Sequence, residues 1–303
     1  MDRDFVTDVN QSNYLKLIKI IILAVGAGGI TWFGKSLHAE YQQTQQLRQA
    51  NALLEKKEYN LAIKAYDRLL AANSAEAHFI WINRGYAFLG LGQYRDMLES
   101  CSTATSIEPK IALAWNCQGE ALYYLKQYPE ALKAFEQAIG ENSQKAHFWL
   151  NKARVLADLQ EYSEAIAASE RAIELSDRSA QYELAIAFNQ KGQSLLKMKQ
   201  YQESLAAFEQ SLKYSPDYLS ALQGKGIILY ELNDLERAIA IFEQILQRDN
   251  LTKEQEATSL LYKGASLCQV RKLDAAEKAF QTVLGLTKNV RFQEIAQKGC
   301  GIQ

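Results

Sequence analysis

The chain has 303 residues, 48% apolar and 23% charged, with 34 basic against 35 acidic side chains. This composition excludes a disordered chain and a protein embedded throughout in a bilayer. The even charge balance provides no broad basic surface to neutralise a phosphate backbone, so nucleic acid is not an expected partner.

Residues 1–14 read as a polar tail. Residues 15–37 read as a single transmembrane helix. Its core, Ile20 to Gly34, is uncharged, and Leu17 and Ile18 extend it to 18 residues if Lys19 snorkels to the interface. Bilayer contact is expected over 17–34. The run IIILAVGAGG imitates a strand entering a nucleotide-binding turn, but Thr31 stands at the third glycine position. No βαβ pattern follows either, so a dinucleotide fold is not expected. Three basic residues before or at the start of the span, Arg3, Lys16 and Lys19, against Lys35 and Arg48 after it, are too few to orient the helix.

From residue 43 a phrase recurs: KEYNLAI, GQYRDML, KQYPEAL, QEYSEAI, KQYQESL, NDLERAI, RKLDAAE. Its third residues are Tyr59, Tyr94, Tyr128, Tyr162, Tyr201, Leu235 and Leu273, separated by 35, 34, 34, 39, 34 and 38. Nine positions before each stands a small residue: Ala50, Gly85, Gly119, Ala153, Gly192, Gly226 or Gly264. Trp115, Gly119 and Leu122 share one helical face, and Ala131, Phe135 and Ala138 share a face on the next helix. Small residues let the two helices approach while the aromatics fill the flanks. Thr252 and Gln255 fit a capping box that lengthens the helix after the second long insertion.

The pattern closely resembles the tetratricopeptide repeat (TPR) family. The resemblance implies an all-α chain, a right-handed α-solenoid of about seven helix-turn-helix repeats: 43–77, 78–111, 112–145, 146–184, 185–218, 219–256 and 257–290. Residues 291–303 then form a C-terminal cap. The departures are Gln46, Met97, Cys101 and Ser169 at positions usually filled by other types. The layout, an anchor followed by repeats, also resembles anchored TPR assembly factors of photosynthetic membranes.

In this family first helices line a concave face. The positions expected there are Asn83, Tyr86, Asn116, Tyr123, Tyr124, His147, Asn151, Arg154, Asn189, Gln190, Gln193, Tyr230 and Tyr262. Carboxamides both donate and accept, which suits the backbone of an extended peptide, and tyrosines add contact area with little rotamer entropy to lose. Asn116, Asn151 and Asn189 are expected to stand clear of the packing, so that alanine there leaves melting nearly intact. Lysines of a carboxylate clamp are missing, which disfavours chaperone C-termini as ligands.

The expected function is a membrane-tethered interaction scaffold or assembly factor for a protein or peptide partner. The alternative is a periplasmic or lumenal TPR chaperone beside a secretion or membrane-assembly machinery. Catalytic residues, cofactor, metal and small-molecule substrate are not expected. Cys101, Cys117, Cys268 and Cys300 lack C-x-x-C spacing, and three histidines complete no metal motif. The cysteines are expected to be unpaired thiols in a reducing compartment, which leans the repeat domain towards the cytoplasmic side.

Overall fold

The computed structural model describes residues 30–72, 77–177 and 179–301. The polar tail and most of the expected membrane span lie outside these residues. Among those described, no helix is long and apolar enough to cross a membrane. The described residues form fifteen α-helices and no strand, as the scarcity of proline and the 34-residue period require. They belong to two compact units, residues 1–107 and 108–303.

The first unit holds α1 (Ile30–Glu55), α2 (Tyr59–Ala71), α3 (Ala77–Gly90) and α4 (Tyr94–Ile107). Leu47, Ala50, Leu54, Ala62, Tyr66, Leu69, Ile80 and Ala87 form a core from its first three helices. Helix α1 begins inside the expected span and runs without a break into the first helix of repeat 1.

The second unit holds repeat pairs α5 (Ala112–Tyr124) with α6 (Tyr128–Glu141), α7 (Ala146–Asp158) with α8 (Tyr162–Leu175), and α9 (Gln181–Lys197) with α10 (Tyr201–Tyr214). They are followed by α11 (Leu219–Glu231) with α12 (Leu235–Leu246), α13 (Lys253–Gln269) with α14 (Leu273–Leu286), and the cap α15 (Val290–Lys298). Both long insertions lengthen first helices, for α9 and α13 have 17 residues where α5, α7 and α11 have 13. Thr252 and Gln255 close the capping box reciprocally, at 3.2 and 2.9 Å.

The small positions are filled by aromatic rings. A Cβ added at Gly119 would sit 2.6 Å from Phe135, one at Gly226 2.7 Å from Phe242 and one at Gly264 2.8 Å from Phe280. Gly224 and Gly226, which give LQGKGIILY its likeness to a phosphate loop, are therefore packing residues inside α11 and hold no phosphate. Three of the four departures from the repeat pattern are buried in register, while Gln46 is exposed. Met97, Cys101 and Ser169 are all fully buried, and Ser169 donates its hydroxyl to the Ala165 carbonyl at 2.8 Å.

Each turn between paired helices passes through the left-handed region. Lys57, Lys126, Gln160, Lys199, Asn233 and Arg271 have φ between 59 and 66°, and Gly92 has φ 71°. At Lys126 the turn is held by its own N–H on Tyr123 O and by the Gln127 N–H on Leu122 O, both 2.9 Å. This is a helix-ending motif that ordinarily selects glycine. A side chain there strains the backbone, so Lys126→Gly is expected to raise unfolding stability by about 0.5–1 kcal/mol. Urea denaturation followed by circular dichroism checks this, and a loss of stability would refute it.

One ion pair recurs between repeats. The base preceding a small position meets the acid following an aromatic position in the preceding repeat: Arg84–Asp67 at 2.8 Å, Lys152–Glu136 at 2.9 Å, Lys191–Glu170 at 2.7 Å, Lys225–Glu209 at 3.0 Å and Lys263–Glu243 at 2.9 Å. Each is half-exposed and adds at most about 1 kcal/mol, so the ladder fixes register more than it stabilises.

The expectation of unpaired thiols is overturned. No cysteine among the described residues is free. Cys268 on α13 is bonded to Cys300, in the 3-10 turn Gly299–Gly301 after the cap, with the Cα atoms 5.4 Å apart. The 32-residue separation conceals the pair, because only the return of the chain over α14 and α15 brings the two together.

Candidate functional site

Helices α5 and α7 present successive turns to the same side, and their polar residues close into one cluster. Asn116 Nδ2 donates to Glu120 Oε1 at 2.8 Å. Asn151 Nδ2 donates to Asn116 Oδ1 at 2.8 Å and to Glu120 Oε1 at 3.1 Å. Arg154 Nη2 donates to Asn151 Oδ1 at 3.2 Å. The guanidinium lies 4.2 Å over the Tyr123 ring and 5.8 Å from that of Tyr124. Tyr123 packs against Tyr124 and Tyr128 and is hydrogen-bonded to Asp158.

Burial pushes the Glu120 carboxyl up, against the opposing effects of Arg154, Asn116 and Asn151. Burial, then the Asp158 bond, pushes the Tyr123 phenol up as well. Glu120 therefore holds its proton more tightly folded than unfolded. Its contribution to stability is fully present below the ordinary carboxylate pKa and is lost as pH rises through the elevated one. Glu120→Gln is expected to remove that loss, leaving a variant at least as stable as the parent at neutral pH and with a flatter pH dependence. Urea midpoints from pH 4 to 8 check this, and parallel profiles for parent and variant would refute it.

Further along, Gln193 Nε2 donates to Ser220 Oγ at 2.9 Å. Gln223 Nε2 donates to the Gln255 carbonyl at 3.0 Å and reaches Ser259 Oγ at 3.3 Å. Tyr230 and Tyr262 meet edge to face at 5.6 Å, and Tyr262 stacks on Phe242 at 5.9 Å. His147 is half-buried with its ring against Phe148.

Of the residues expected from sequence, Asn116, Tyr123, Tyr124, Asn151 and Arg154 come together. Asn83 and Tyr86 belong to the first unit, where Asn83 Nδ2 donates to Asn51 Oδ1 at 3.1 Å and Tyr86 packs against the core. Asn189, 4% exposed, and Gln190 lie on α9 outside the cluster. The expectation that the asparagines stand clear of the fold is corrected for Asn116. At 1% exposure it supplies a hydrogen bond to the half-buried Glu120, so alanine there leaves that acid short of a donor. Glu120, Asp158 and Gln223 escaped the sequence reading. Glu120 lies four residues after Asn116 on the same helical face, and that spacing was the available signal. Among the described residues no group of His, Cys, Asp and Glu is placed to hold a metal.

Paired helices in a 34-residue period, with a small residue against a ring in repeats 3, 5, 6 and 7, define a helical repeat array of the kind that binds other proteins. The tetratricopeptide repeat family profile matches residues 47–100, 118–183 and 189–251, and the chain belongs to that family. TPR proteins bind protein or peptide partners. No curated protein matches the chain, so the photosynthetic-membrane likeness stands on layout alone.

Solved structures share the fold. A tetratricopeptide repeat protein from Parabacteroides merdae is 16% identical with a TM-score of 0.60, over 84% of this chain and 97% of its own. PilW, a type IV pilus biogenesis factor, is 22% identical with a TM-score of 0.64, over 74% and 99%. Pseudomonas aeruginosa PilF is 20% identical with a TM-score of 0.63, over 74% and 98%.

Proposed function

We propose that the chain is a membrane-tethered interaction scaffold, without catalytic activity, that holds an extended segment of a partner protein along the first helices of repeats 3 to 7. The observation that carries this reading is the hydrogen-bonded row of carboxamides, tyrosines and Arg154 that begins at Asn116 and Asn151 and resumes at Gln193 and Gln223. The row brings carboxamides, aromatic faces and a guanidinium to successive repeats, groups that suit recognition of a peptide backbone. The role of PilW in pilus biogenesis supports the assembly-factor form of this reading.

One observation favours the alternative placement, on the periplasmic or lumenal side. The Cys268–Cys300 bond persists where the surroundings are oxidising. The anchor itself is proposed from residues 17–34 of the sequence.

Affinity capture with the full-length chain from detergent-solubilised membranes, followed by mass spectrometry, tests the groove. A partner held by the parent and lost on joint Tyr123→Ala and Arg154→Ala substitution is expected. Equal recovery by both would place the partner elsewhere. Release of intact protein by alkaline carbonate washing would remove the anchor from the proposal.

A further inference from the structure

The disulfide that ties the cap to α13 is open to solvent on one side. Cys268 is half-buried in the last turn of α13, where the Arg271 N–H donates to its carbonyl at 3.0 Å. Cys300 is exposed. It stands between Gly299, with φ 55°, and Gly301, and a Cβ added at either glycine would meet nothing within 4 Å. One sulfur is thus fixed on a helix, while the other is carried by an open turn that can leave without repacking. Exposed disulfides are the ones that thiols in solution reach.

Without that bond the cap has little to hold it. Helix α15 has nine residues, of which Ala296 alone is buried, with Phe292 and Ile295 half-buried against the core of repeat 7. The side-chain hydrogen bonds that order it are local. Asn289 Oδ1 accepts from the Arg291 N–H at 3.1 Å and the Phe292 N–H at 3.4 Å, and Gln293 Nε2 donates to the Thr287 carbonyl at 3.0 Å. A helix this short does not persist in water once undocked. The cap also reaches the candidate site. Burial pushes the Tyr262 phenol up, Glu231 and Tyr230 push the same way, and Arg291 on α15 opposes them. The Arg291 charge therefore bears on the ring pair of Tyr230 and Tyr262.

We propose that the Cys268–Cys300 bond is a redox latch, opened in the folded protein by a dithiol reductant, that releases α15 from the end of repeat 7. A thiolate of the reductant attacks Cys300 Sγ, the S–S bond breaks, and Cys268 Sγ leaves with the electron pair and takes up a proton. The second thiol of the reductant, as its thiolate, attacks the reductant's own sulfur in the mixed disulfide and frees Cys300, which takes up a proton in turn. The reductant ends as a disulfide, and the protein has gained two electrons and two protons. With α15 released, the apolar end of repeat 7 is uncovered and Arg291 is withdrawn from Tyr262. The latch is thus a two-state element set by thiol chemistry, and it does not depend on the groove reading.

The test uses the full-length chain in nanodiscs, isolated without reductant. Dithiothreitol is titrated in without denaturant, and free thiols are trapped with iodoacetamide and mapped by mass spectrometry. Cys268 and Cys300 are expected to react together at reductant levels that leave the circular dichroism nearly unchanged, while the fully buried Cys101 and Cys117 stay unreacted. Over the same titration, amide exchange in α15 is expected to rise by about tenfold or more, the effect of opening a loop closed by a disulfide, with α5 to α8 unchanged. Oxidised glutathione should restore both readings. Cys300→Ser should exchange like the reduced parent and ignore dithiothreitol, and a further response would mean that the reductant acts elsewhere and would overturn the latch. Should that variant not fold, the parent titration decides alone. The latch also falls if the pair reacts only once urea has unfolded α13 and α14, or if the reduced protein keeps α15 protected.

Discussion

Phe208→Ala is expected to cost about 3–5 kcal/mol, the range for emptying a fully buried ring site. Phe208 is 0% exposed and is flanked by glycines of two repeats. A Cβ on Gly192 would stand 2.9 Å from its ring, and one on Gly224 would stand closer still. The ring thus fills the space inside repeat 5 and also the space between repeats 5 and 6. No side chain at either glycine is available to collapse into the void, so relaxation recovers little. The loss should appear first as exchange of α9 to α11 amides and then as a lower urea midpoint. A change below about 1 kcal/mol would mean that the ring is not the keystone of that junction.

Cutting the Cys268–Cys300 bond is expected to act locally. Closing a loop of this length removes about 3–4 kcal/mol of unfolded-chain entropy. Cys300→Ser should therefore release α15 and weaken its hold on α13, while repeats 3 to 5 keep their protection, because stacked repeats are stabilised only by their neighbours. Hydrogen exchange with mass spectrometry separates the outcomes. Unchanged protection in α15 would show that Phe292, Ile295 and Ala296 hold the cap without help. Alkylation of the parent protein, isolated without reductant, should find neither Cys268 nor Cys300 reactive.

The repeat was legible because its information is local and redundant. Gly119 opposite Phe135, Gly226 opposite Phe242 and Gly264 opposite Phe280 state one contact three times over. The turns were not legible, because lysine, glutamine, asparagine and arginine stand where glycine normally marks a left-handed residue. The disulfide was hidden by its span. At the site, Asn116, Asn151, Tyr123 and Arg154 were found because consecutive first helices set equivalent positions side by side. Glu120 was missed because its spacing four residues after Asn116 puts the two on one face without showing that they bond to each other and to Asn151.

The unbroken course of α1 constrains the tether proposed for this chain. A flexible leash lets its cargo sample a volume, and lengthening it merely enlarges the volume. A helix of 26 residues, by contrast, is a shaft about 39 Å long. One residue inserted before Thr44 advances the helices packed on α1 by about 1.5 Å but rotates them by about 100° about the shaft axis. Seven residues, close to two full turns, nearly restore their facing. Insertions in α1 should therefore change the facing of repeats 1 and 2 periodically, by azimuth, relative to the proposed anchor.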